Sequence, residues 1–263
     1  MTRTAALPAL LCALALSSCS WYDKNTIQNI AGPVPAGATA RVRFLNDGVG
    51  SPGVNFYADD QKLTAIYTAT GQELTTGVTY GGLGDGGYYV AIAPGSYTLK
   101  GKNAATTDTI SRVTTTLADG KAYSFYQSGI YNATNKTVDA FVVEDPFVPA
   151  FDYSVAYVRF VHAIGNASPM TLYATIRDAV DTTKTDTLAI GAQIAYKSAG
   201  AFTPLPEGFY GLFARYGTGT TAITNAGVSF LRGRVYTVTA RGDSTITSAT
   251  DSKRPILDNT ANR

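Results

Sequence analysis

The chain has 263 residues, 45% of them apolar and 15% charged, with 21 Lys and Arg against 19 Asp and Glu. That is material for one or two domains of about 100–150 residues, with enough apolar content to fill a core and too little charge for a mainly disordered chain. A net charge of +2 without a basic block gives no footprint for nucleic acid, and a single histidine, His162, excludes His-rich metal sites.

Arg3 supplies a sparse positive start, and Ala5 to Leu16 forms an apolar stretch. It is too short for a bilayer core of about 30 Å, which takes about 20 apolar residues. Residues 1–18 therefore read as an export signal. Its end, Leu16-Ser17-Ser18-Cys19, resembles the bacterial lipobox. The resemblance implies a diacylglycerol on the Cys19 thiol, cleavage before it, and a mature chain anchored by lipid. Cys12 would leave with the signal, so the mature protein is expected to have no disulfide and no thiol ligand. Ser20 in place of Asp suggests outer-membrane sorting in a Gram-negative host. Residues 19–38, with Gly32, Pro33, Pro35 and Gly37, read as a tether. Trp21 and Tyr22 could sit at the lipid headgroups or pack on the first domain.

The body is written twice. Val42-Arg43-Phe44 recurs as Val158-Arg159-Phe160, and Phe56-Tyr57-Ala58 as Leu172-Tyr173-Ala174. Tyr80 matches Tyr196, Gly95-Ser96-Tyr97 matches Gly208-Phe209-Tyr210, and Gly120-Lys121-Ala122-Tyr123 matches Gly233-Arg234-Val235-Tyr236. Such collinearity is a tandem duplication. The units are expected over 39–144 and 154–248, joined by a proline-stiffened linker at 145–153 and followed by a tail at 249–263.

Each unit reads as β throughout. Arg41 to Leu45 alternates charged and apolar residues, the period of a half-buried strand, which places Val42 and Phe44 inside and Arg41 and Arg43 in water. Val158, Phe160 and Arg159 follow the same rule. Further strands are expected at 54–58, 88–93, 97–102, 110–117, 122–126 and 138–143, and in the second unit at 171–176, 193–196, 210–216, 227–231 and 235–240. The fold class is all-β: two tandem immunoglobulin-like antiparallel sandwiches. Ile92 to Tyr97 and Leu205 to Tyr210 resemble the tyrosine corner of such folds, which would turn the Tyr97 and Tyr210 hydroxyls onto upstream backbone.

The sequence Ala40-Arg41-Val42-Arg43-Phe44-Leu45, then Val54-Asn55-Phe56-Tyr57, Pro94-Gly95-Ser96-Tyr97 and Gly120-Lys121-Ala122-Tyr123, is similar to the bacterial domain of unknown function 4397. Members often follow the first strand with His-Ala-Ser-Pro. Unit two keeps His162-Ala163 and Ser168-Pro169, whereas unit one has Asn46-Asp47 and Ser51-Pro52. The resemblance implies secreted or surface lipoproteins, often with tandem copies, and brings no catalytic residues with it.

Several motifs have plain alternatives. Gly82 to Gly87 matches a dinucleotide pattern but precedes a strand rather than the helix N-terminus a phosphate needs, so no nucleotide is expected. Arg241-Gly242-Asp243 spells an integrin tripeptide at what reads as a hairpin turn. His162 could serve as a general base, with Ser168 or Asp152 nearby, or could close a strand end. Asp59-Asp60 and Asp178/Asp181 could ligate calcium but lack its loop pattern. Tyr67, Tyr80, Tyr88, Tyr89, Tyr126, Tyr131 and Tyr157 could form a binding surface or simply populate strands. The sequons at Asn132, Asn135 and Asn166 are incidental behind a bacterial lipobox. No cofactor, metal, nucleotide or nucleic acid is expected. The expectation is a non-catalytic, lipid-anchored envelope module, structural or adhesive, that presents sandwich loops to a protein or polysaccharide. The alternatives are a small envelope hydrolase or carbohydrate-active enzyme using His162 or Asp residues, and an accessory subunit of an envelope complex.

Overall fold

A computed structural model describes residues 39–146, 152–176, 186–217, 219 and 222–262. The export signal, Cys19, the tether with Trp21, and Asp178/Asp181 lie outside the described residues. The first unit contains β1 (Ala40–Val49), β2 (Val54–Ala58), β3 (Gln61–Lys62), β4 (Gly82–Leu83), β5 (Val90–Ile92), β6 (Gly95–Asn103), β7 (Thr109–Leu117), β8 (Ala122–Asn132) and β9 (Thr137–Glu144). The second contains β10 (Val155–His162), β11 (Met170–Ile176), β12 (Thr187–Ile194), β13 (Ser198–Ala199), β14 (Thr203–Pro206), β15 (Gly208–Tyr216), β16 (Ala222–Phe230), β17 (Val235–Arg241) and β18 (Ile256–Ala261).

Each unit is a two-sheet sandwich. In the first, β4 and β5 flank β1, which is followed by β8 and β9, while β3, β2, β6 and β7 form the other sheet. The second repeats this with β13 and β14 beside β10, then β17 and β18, against β12, β11, β15 and β16. Pairing is antiparallel except that β1 runs parallel to β8, and β10 to β17. The apolar alternation of the strands fills the two cores. Phe44, Phe56 and Phe125 cluster in the first, with ring centroids 5.0–5.7 Å apart. Phe160, Leu172, Leu212, Phe230 and Val238 occupy the second. Both tyrosine corners form: the Tyr97 hydroxyl donates to Ala93 O at 3.0 Å and that of Tyr210 to Pro206 O at 2.8 Å.

Three expectations need correction. Arg43 and Arg159 do not face water; they are 0% and 1% exposed, because the second face of their sheet is covered as well. Residues 249–263 are not a free tail, since β18 pairs with β17 and completes the second sandwich. Asp145, expected to open the linker at 145–153, is instead buried directly after β9. Other strands shift: β12 begins and ends earlier than the expected 193–196, β16 begins at Ala222 rather than 227, and β5 covers only the middle of 88–93.

Candidate functional site

The face of β1 and β8 turned away from the first core carries Arg43, Leu45, Asp47, Ser124, Tyr126 and Ser128, by the period-two rule. The matching face of β10 and β17 carries Arg159, Val161, Ala163, Thr237, Thr239 and Arg241. These two faces pack on each other. Leu45, Tyr126, Phe141, Val161 and Ala163 form an apolar cluster between the units, with Tyr126 and Phe141 stacked at 4.9 Å.

At its centre one carboxylate serves two guanidinium groups. Asp145 pairs with Arg159 and stands 3.9 Å from Arg43 Nε. Arg43 Nε donates to Ser124 Oγ at 2.7 Å, and that hydroxyl donates to Asp145. The second unit repeats the relay: Arg159 Nε donates to Thr237 Oγ1 at 3.1 Å, which donates to Asn262. Asn262 follows β18 as Asp145 follows β9, each backbone N–H donating to the residue that opens the neighbouring strand. The two units thus differ here by one charge. Aromatic rings cover the pair: Arg43 lies 5.2 Å from the Tyr89 ring centroid and Arg159 4.9 Å from that of Phe202. The Tyr89 hydroxyl donates to Asp145, and burial raises its pKa. Buried ion pairs gain little over apolar packing but cost several kcal/mol when one partner is removed, so this network specifies orientation more than it adds stability.

The contacts are reciprocal, as in a two-fold interface. Tyr80 of the first unit packs under Arg241 of the second, 4.7 Å from ring centroid to guanidinium. The matching Tyr196 of the second unit reaches Ser128 of the first, hydroxyl to hydroxyl at 2.9 Å. Ser128 and Arg241 occupy equivalent positions on β8 and β17, each followed by a glycine with positive φ, Gly129 and Gly242. Two clefts flank the interface, one at each end.

At the first end Arg241 pairs with Asp258 and approaches Asp47 at 3.8 Å. Burial dominates Asp47 and lifts its pKa to about 7, Arg241 opposing and Asp258 reinforcing the rise. The cleft left beside this cluster has a volume of about 230 Å³. At the second end, where Ser128 stands in place of Arg241, the groove measures about 410 Å³. It is lined by the β8–β9 hairpin of the first unit (Gly129, Ile130, Asn132, Thr137, Asp139) and by Gly165, Asn166 and Tyr196 of the second. Lys197 pairs with Asp139 at 2.7 Å. The two walls meet closely: a Cβ on Gly129 would lie 2.8 Å from the Tyr196 hydroxyl, and one on Gly165 3.0 Å from Gly129 Cα.

The residues singled out in the sequence find other duties. His162 is buried; its Nδ1 accepts from Ile164 N at 3.2 Å and its Nε2 donates to Ser168 O at 3.1 Å. Burial holds its pKa below the usual histidine value. Asn46, its counterpart, accepts from Gly48 N in the same way, but lies within β1, whereas His162 closes β10. Arg241 of the Arg-Gly-Asp triplet is held between the units, and Asp243 accepts from Thr245 and Asn166. Gly82 to Gly87 forms β4 and a 3-10 turn. Asp60 pairs with Lys100 and Lys102, and Asp59 accepts from Thr98 N. Among the described residues no group of three His, Cys, Asp or Glu side chains could hold a metal. Of the seven tyrosines, Tyr80, Tyr89 and Tyr126 belong to the interface, Tyr131 packs against the first core, Tyr157 is buried on the Arg159 face of β10, and Tyr88 and Tyr67 are exposed.

No curated protein matches this chain. Solved structures similar to it include a protein of Bacteroides ovatus provisionally assigned to cell adhesion, 11% identical over 86% of this chain and 96% of that one, at a TM-score of 0.27. Another provisional cell adhesion protein, from Bacteroides fragilis, is 10% identical over 85% and 98%, at 0.25. A family 26 carbohydrate-binding module of Eubacterium rectale, solved with maltoheptaose, is 15% identical over 84% and 95%, at 0.21. Superpositions this poor carry no argument about fold or function. The model of the domain of unknown function 4397 (DUF4397), however, matches residues 40–173, just over half of the chain, and the protein belongs to that family.

Proposed function

We propose that this DUF4397 protein is a lipid-anchored, non-catalytic module of the bacterial cell envelope, whose two joined sandwiches present a composite surface to a protein or polysaccharide. The observation that carries the reading is the junction itself. Polar residues that could have served chemistry are committed to holding two domains face to face, and a cleft walled by both domains is left at each end, the wider one beside Tyr196. Catalysis by His162 finds no support, since both ring nitrogens are engaged with backbone. The anchor rests on Leu16-Ser17-Ser18-Cys19, and a tethered module gains effective concentration at the envelope without any new contact.

Metabolic labelling with a fatty-acid analogue, followed by protease treatment of intact cells, tests this. The wild-type chain is expected to take up label and to be cut from outside, and Cys19→Ala to take up none. An unlabelled wild-type chain recovered free of membrane would contradict the reading.

A further inference from the structure

The two ends of the junction are equivalent by the duplication, so each serves as a control for the other. At the Arg241 end a guanidinium between two carboxylates narrows the space. At the Ser128 end the equivalent position carries a short hydroxyl side chain, and the groove stays open on the surface. Divergence at a few outward positions, Arg241 against Ser128 and Asp47 against Ala163 among them, has therefore left a narrower cleft of about 230 Å³ at one end and a wider groove of about 410 Å³ at the other.

We propose that the open groove binds a neutral carbohydrate chain, a ligand class that the envelope-module reading leaves undecided and on which this inference rests. Charge is the first argument. Asp139 is the one charged residue of the lining, and Lys197 neutralises it at 2.7 Å, so an anion or a cation would meet no unpaired counter-charge. Hydrogen-bonding capacity is the second. Asn132 Oδ1 accepts from the backbone N–H groups of Thr134 and Asn135, which fixes the amide. Asn132 Nδ2 and the Thr137 hydroxyl have no hydrogen-bond partner among the described residues. Asp139 and the Tyr196 hydroxyl retain lone pairs beyond their mutual contact at 3.3 Å. Donors and acceptors in alternation suit vicinal hydroxyl groups.

Shape is the third argument. Ile130, half exposed on the same wall, offers an apolar surface for the C–H face of a sugar ring. A protein partner would need several apolar or aromatic anchors around a desolvated centre, and Ile130 is the only large exposed apolar side chain in this lining. Because the groove is open rather than enclosed, it suits a segment of a polymer better than a small molecule. Its walls belong to different domains held in one arrangement by the buried arginines, which lowers the ordering cost of binding.

Saturation-transfer and chemical-shift NMR on the full chain, with linear gluco-, xylo- and manno-oligosaccharides at millimolar concentration, tests the proposal. At least one of these is expected to perturb Gly129, Gly165 and the Tyr196 ring. The Asn132→Ala/Thr137→Ala double variant should weaken it about tenfold or more, the loss of one to two hydrogen bonds to the ligand, whereas Tyr88→Ala at the distant exposed tyrosine should leave it unchanged. Oligogalacturonate and an extended neutral peptide serve as competing probes. Absence of binding by every neutral oligosaccharide, loss of binding in Tyr88→Ala, or binding of the anionic sugar or the peptide alone would overturn the proposal. Since acylation and protease accessibility are read separately, a labelled, surface-exposed protein that ignores all these sugars would sink the groove and leave the envelope module standing.

Discussion

The two ends of the junction begin from the same plan and finish differently. Both place a tyrosine, Tyr80 or Tyr196, against the partner unit, followed by a positive-φ residue whose N–H is pinned to the first strand of its own unit: Gly81 N donates to Asn46 O at 2.7 Å and Lys197 N to His162 O at 3.0 Å. One end then narrows around a largely buried charge cluster, while the other keeps its ion pair on the surface and its groove wider. The centre differs as well, because Asp145 in one unit is answered by Asn262 in the other. Duplication supplied a self-complementary face, and substitutions at a few outward positions made it asymmetric. Each substitution can be challenged separately.

The largest effect is expected at the centre. Asp145→Ala leaves two buried arginines without a counter-charge and should cost at least about 3–5 kcal/mol in urea denaturation. Asn262→Ala removes only hydrogen bonds and should cost about 1–2 kcal/mol. Equal losses would mean that the units are not divided by charge as described.

The Arg241 end should respond to pH. Asp47 is raised in the folded state to about 7 from an ordinary value near 4, so between those limits the folded chain binds more protons and this group's contribution to stability falls as pH rises. Arg241, Asp258 and Tyr80 face it, and His162 works in the opposite sense, losing stability as pH falls through the usual histidine range. The difference between Asp47→Asn and wild type isolates the Asp47 part. The variant should be more stable by roughly 2–4 kcal/mol at pH 8, with the gap closing towards pH 4. A gap independent of pH would contradict the burial of an ionisable Asp47.

At the open end the effect is smaller. Gly129→Ala places a Cβ against the Tyr196 hydroxyl at a φ of +79° and should cost about 2–3 kcal/mol. Gly120→Ala, at a φ of +68° with nothing within 4 Å, bears only the backbone strain of about 1 kcal/mol. Equal costs would show that Tyr196 does not press on the hairpin.

Much of this was legible in the residues. Period-two alternation located both sandwiches, and the Pro-Gly and Glu-Gly turns before Tyr97 and Tyr210 located their corners. What misled was the assumption that an antiparallel sandwich shows its outer face to water. Arg43 and Arg159 alternate with core residues as solvated side chains do, and only a partner sheet distinguishes a buried arginine from an exposed one. A signal was present: arginine recurs at the same outward position of both copies, opposite Ser124 in one and Thr237 in the other. Strand β18 was hidden because Asp258 and Asn259 are poor strand formers; pairing with β17 overrides that preference. The open groove was illegible, since its walls lie far apart in the chain and meet only through the docking of the two domains.

The central claim is that the buried Arg43–Asp145–Arg159 network fixes the two sandwiches in one mutual orientation. Residual dipolar couplings of the full chain in a dilute aligned medium test it directly. One alignment tensor should fit the backbone amides of both domains, and Asp145→Ala should require two. Two independent tensors for the wild-type chain would contradict the account.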